Sequence, residues 1–106
     1  GCPVFVRLPD GEHTPLVDRV VRRENRVPLS WDVSVRAHDG AAADDIASDV
    51  LADAKGGSVV RIEASDGGSL AVASAVPALV KGLRARGLRP VTLAEMFGRP
   101  AYVRHC

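Results

Sequence analysis

Residues Val76–Phe97 read VPALVKGLRARGLRPVTLAEMF. Val76, Leu79, Val80 and Leu83 recur at three- and four-residue steps, the apolar stripe of an amphipathic helix. Pro77 fits only in a first turn, where its missing N–H breaks no intrahelical bond, so the helix is placed from about Ser74. Gly87 stops it. Arg89–Thr92 then has strand character, and Thr92-Leu93-Ala94-Glu95 forms a capping box that opens a short helix. A helix, a strand and a helix in one stretch point to α/β architecture.

The upstream sequence repeats the alternation. Pro3–Arg7 (PVFVR) is a short strand by residue type. Thr14-Pro15 is an N-cap followed by proline at the first helical position, after which Leu16, Val17, Val20 and Val21 share one face and Asp18, Arg19, Arg22 and Arg23 the other. Val27–Val35 (VPLSWDVSV) returns to strand character and is broken at Asp39-Gly40. Ile46, Ala47, Val50, Leu51 and Ala54 mark a second helix, ended by Gly56-Gly57. Ser58–Ala64 (SVVRIEA) is the third strand, followed by a glycine-rich turn.

Strands separated by single helices imply parallel pairing. The expected fold is therefore α/β: four parallel strands at Val4–Arg7, Leu29–Val33, Val59–Ile62 and Pro90–Thr92, in sequential neighbouring order. They alternate with three amphipathic helices and precede a short C-terminal helix. Four strands cannot close a barrel of the eight-stranded kind, which takes about 250 residues. Residues 1–106 are expected to form one domain.

Composition narrows the function classes. Of the 106 residues 46% are hydrophobic and 25% charged, and the charges cancel to +1. That balance argues against nucleic acid as a partner. The densest basic run, Arg19, Arg22, Arg23 and Arg26, is interrupted by Asp18 and Glu24 and reads as a solvated helix face or a contact for an acidic partner. No apolar run approaches the ~18–20 residues of a membrane span, and no h-region follows a basic start. The chain is thus expected to be cytoplasmic, or secreted with its signal already removed. Cys2 and Cys106 stand at the two ends, either paired or as free thiols. His13, His38 and His105 lack the i, i+4 spacing of a ligand pair, so no metal and no other cofactor is expected. G-x-S-x-G is absent, and Asp66-Gly67-Gly68-Ser69 follows no phosphate-loop or dinucleotide pattern.

Three further motifs, together with the closing helix–strand–capped-turn order, resemble the C-terminal half of polysaccharide deacetylase (NodB-type) domains. Arg7-Leu8-Pro9-Asp10-Gly11 is similar to the R-x-P-x-G motif, with Asp10 where an aromatic is usual. Trp31-Asp32-Val33 is similar to the start of W-d-v-d-x-x-D-W, but Ser34, Ala37 and His38 replace the later acidic and Trp positions. Gly57–Glu63 is similar to the G-s-I-I-L-l-H strand, with Glu63 in place of the general-acid His. The resemblance implies half of a deformed (β/α) barrel in which Arg7, Asp32 and Glu63 hold the catalytic-motif positions. Asp32 is then expected near Arg7 at the strand C-termini, in a structural salt bridge. The T-F-D-D-G and H-x-x-x-H motifs, which supply base and metal ligands, are absent.

These features imply a deacetylase-like domain that is non-catalytic by itself and acts through binding or assembly. The alternative is the C-terminal piece of a metal-dependent carbohydrate deacetylase completed by an N-terminal half. Gly1-Cys2-Pro3, with almost no lead-in before the first strand, is what such a piece would show. A third reading is a small enzyme using Glu63, Asp32 and Arg7 in a new arrangement. Expected partners are a second copy or a complementary half-barrel meeting open sheet edges and an uncovered face among Phe5, Trp31 and Val60. A glycan is the remaining partner class, with Trp31 and Tyr102 as its stacking candidates.

Overall fold

The computed structural model describes residues 1–8, 12–38 and 40–105. Pro9, Asp10 and Gly11 of the first motif, the break at Asp39, and Cys106 lie outside the described residues. The chain divides into two compact units, Gly1–Ser30 with Val91–Cys106, and Trp31–Pro90.

In the first unit, β1 (Cys2–Pro3) pairs antiparallel with β6 (Tyr102–Val103). Strand β2 (Phe5–Arg7) pairs in parallel with β3 (Val27–Leu29). Helix α1 (Pro15–Arg23) joins β2 to β3. Thr14 caps it as its sequence predicts, Oγ1 accepting from the Val17 N–H at 3.1 Å. The helix ends in a Schellman turn: Asn25 takes a positive φ of 58°, while the N–H groups of Asn25 and Arg26 reach Arg22 and Val21 carbonyls. His13 ties α1 to β3, with Nδ1 2.9 Å from Asp18 Oδ1 and Nε2 3.3 Å from the Leu29 carbonyl oxygen. Val4 is fully buried between the two strand pairs of this unit, its N–H donating to Ala101 O and its carbonyl accepting from Val27. Thr92 caps α4 (Leu93–Phe97) through Glu95 N–H, and Phe97 meets Phe5 at 5.9 Å between ring centroids.

In the second unit, β4 (Val33–Ala37) and β5 (Val60–Ala64) run parallel, Val33 opposite Val60 and Ala37 opposite Ala64. Helices α2 (Ala43–Asp53) and α3 (Ser69–Ala85) pack on one face of the pair. Val33, Ala47, Val50 and Leu79 form one buried cluster and Ala37, Ile46 and Ala75 a second. The α2 stripe read from the sequence supplies three of these residues. Gly82 brings α3 close to Leu51 of α2, whose carbonyl also accepts from Arg86.

The α/β class holds, with short parallel strand pairs and helices; the single four-stranded sheet does not. Val27–Val35 splits at Ser30–Asp32 into β3 and β4, which belong to different units. Arg89–Thr92 forms no strand: Pro90 offers no N–H to a ladder, and Thr92 serves as an N-cap instead. The β1–β6 pair adds an antiparallel element to an expected all-parallel set. Helix α3 starts at Ser69 rather than near Ser74, with Pro77 inside it. The early start brings Ala71 and Val72 against the Ala37–Ile46–Ala75 cluster, and Pro77 itself is exposed. The backbone group it leaves without an intrahelical partner can therefore reach water.

Candidate functional site

Functional groups in parallel α/β folds gather at strand C-termini, because connecting loops leave from there. Here Arg7 closes β2 in the first unit, and Ala37-His38 and Glu63–Ser65 close β4 and β5 in the second. Ala37 is held rigidly there. Its carbonyl accepts from the Ser65 N–H at 2.8 Å, and buried Gly68 presses against it as α3 begins.

Side chains alternate along β4 and β5, so one face differs from the other. Val33, Val35, Ala37, Val60 and Ile62 turn to the helices. Ser34, Arg36, Arg61 and Glu63 occupy the other face, which is charged, unlike the apolar faces usual in parallel sheets. Glu63 Oε2 accepts from Arg61 at 2.9 Å and from Arg36 at 3.3 Å. Arg61 also lies over the Trp31 ring, its guanidinium carbon 4.7 Å from the centroid. The Arg61 Nε is buried without a hydrogen-bond partner among the described residues. Glu63 thus serves as an acceptor shared by two guanidinium groups, a geometry suited to an ion pair.

Asp32 stands elsewhere. It precedes β4, at the N-terminal end of the strand pair, because the strand breaks just before it. Its two carboxylate oxygens accept from Ser58 Oγ and from the Val59 N–H, each at 2.7 Å. Those bonds, Ser58 first and Val59 second, hold its carboxyl below its ordinary value. Its backbone N–H also donates to Val59 O at 3.1 Å. Asp32 is a clamp between the starts of β4 and β5, with partners other than Arg7.

Arg7 is exposed at the end of β2, and the remainder of its motif lies outside the described residues. Hydrolytic metal sites take about three protein donors plus an open position. Among the described residues no three His, Cys, Asp or Glu side chains converge in that way. Cys2 is disulfide-bonded. No described helix is long and apolar enough to cross a membrane.

Sequence reading passed over Arg36, Arg61 and Ser58. The usable signal was Arg61-x-Glu63: opposite charges two residues apart in a strand share a face, and that face cannot be the apolar one.

Comparison with known proteins gives this architecture a relative. No family model matches the chain. It is homologous to a peptidoglycan N-acetylglucosamine deacetylase, as the following two matches show. The peptidoglycan-N-acetylglucosamine deacetylase of Bacillus cereus is 31% identical over 97 residues, 91% of this chain but 35% of that protein. A crystal structure of a peptidoglycan N-acetylglucosamine deacetylase, in complex with 4-naphthalen-1-yl-N-oxidanyl-benzamide, superposes with a TM-score of 0.75 at 28% identity. That match covers 93% of this chain and 47% of the crystallised one. The chain therefore spans between a third and a half of these relatives.

Proposed function

We propose that this chain is the C-terminal half of a polysaccharide-deacetylase barrel that does no catalysis by itself and acts through assembly. The observation that carries the reading is the match to 47% of a solved deacetylase at a TM-score of 0.75, joined to the substituted motif positions. Glu63 stands in the place of a general acid and is engaged by Arg36 and Arg61. Asp32 is consumed by the β4–β5 clamp. The charged face of β4 and β5, opposite the one that packs on α2 and α3, is the inner wall of the half-barrel. Its unpaired Arg61 Nε is the kind of group a completing partner satisfies.

A second reading has a specific observation in its favour. Coverage of 35% of the Bacillus cereus protein fits a piece completed by an N-terminal half that brings the metal site. Its substrate would then be an N-acetylated glycan. Acetate release from acetylated chitin oligomers and peptidoglycan fragments tests the proposal. The isolated chain should match a no-protein control, and release above that control would refute it.

A further inference from the structure

Helix α1 presents its apolar side to solvent. Leu16 is 66% exposed, Val20 50% and Val17 37%, and no residue of the helix is buried. Residues four apart stack into rows on a helix surface. Leu16 and Val20 make one such row, and Arg19 and Arg23, both exposed, make the row beside it. A single helix thus offers an apolar ridge flanked by a basic one.

The outer side of α2 is its complement. Asp45 and Asp49 form an exposed acidic row, and Ser48 and Ala52, small and exposed, form the row next to it. The helix carries four aspartates and no basic residue. Among the described residues, Arg19, Arg23, Asp45 and Asp49 make no ion pair. The row of small side chains leaves a shallow groove for the Leu16–Val20 ridge, while the arginines meet the aspartates.

We propose that copies of the chain associate with α1 of one docked on α2 of another. The occupant is a second copy because the acidic helix that fits α1 in charge and relief belongs to this same chain. This pairing rests on the reading above that the chain acts through assembly, and adds an outer contact to it.

A charge swap tests it. The full chain is studied by sedimentation velocity as wild type, as Arg19→Glu/Arg23→Glu, and as Asp45→Arg/Asp49→Arg. All four positions are exposed, and circular dichroism checks that each variant is folded. The wild type should self-associate, less tightly as salt rises. Each double variant alone faces like charge at the α1–α2 contact and should bind itself at least ~tenfold more weakly. An equimolar mixture of the two restores attraction between opposite charges and should recover the association. A strictly monomeric wild type, or an assembly indifferent to both reversals, overturns the pairing. So does a monomer whose α1 instead binds anionic phosphatidylglycerol vesicles. A monomer still captured by a deacetylase N-terminal half would overturn the pairing and leave the assembly reading standing. A monomer captured by neither would remove both.

Discussion

Replacing Gly68 with alanine probes the joint that fixes the end of β4. The backbone of Gly68 lies at φ −70°, ψ −2°, a conformation open to any residue, so no backbone strain enters the comparison. The cost is steric. A Cβ there would lie 2.5 Å from the Ala37 carbonyl carbon and 2.8 Å from the His38 amide nitrogen, well inside van der Waals distance. Both obstacles are backbone and cannot rotate aside, unlike the Leu51 side chain near Gly82. Overpacking costs about 1–3 kcal/mol, and the upper end is expected at such a joint. The same shift would pull the Ala37 carbonyl from Ser65, loosening the turn after β5. Gly57→Ala is the control: φ is 84° with nothing within 4 Å, so its cost is conformational, about 1–2 kcal/mol. With urea slopes of about 1–3 kcal/mol/M, the Gly68 variant should lose roughly 1–3 M in midpoint. A Gly68→Ala midpoint equal to or above that of Gly57→Ala would refute the close-approach argument.

Asp32 makes stability depend on acid in a definite direction. Its folded-state pKa is lowered from about 3.8, so its contribution is present above that value and is lost as pH falls through the folded pKa. Asp32→Asn should therefore be less stable than wild type near neutrality and converge with it in strong acid; a difference constant with pH would contradict the clamp. Thr14→Ala should cost α1 about 1 kcal/mol by removing the Val17 cap, read as a lower thermal midpoint, while Thr14→Ser should retain most of it. An alanine variant as stable as wild type would show that α1 does not depend on that cap.

How much was legible follows from the range of the forces involved. Helix starts were readable where they are local: Thr14 and Thr92 cap as their sequences predict, because each bond closes within three residues. The α2 core stripe was readable because burial imposes helical periodicity. Pro77 misled because a local penalty was outweighed by the packing of Ala71 and Val72 against the core. The single sheet failed because strand pairing is non-local: nothing in VPLSWDVSV announces that Asp32 turns to Ser58 and Val59 and breaks the strand. For the same reason the motif match located Asp32 without revealing that it stands at the N-terminal end. Glu63 was found as a position, while its two arginine partners came only from register, Arg36 opposite Glu63 across the parallel pair.

The most direct measurement is acetate release from acetylated chitin oligomers by this chain mixed with the N-terminal half of a polysaccharide deacetylase. That half supplies the missing base and metal ligands, so the mixture isolates what this chain contributes. The account predicts no release above the N-terminal half alone, since Glu63 is bound to two arginines and Asp32 to the β4–β5 clamp. Release that appears only in the mixture and disappears with Glu63→Gln would contradict it and assign Glu63 the acid role.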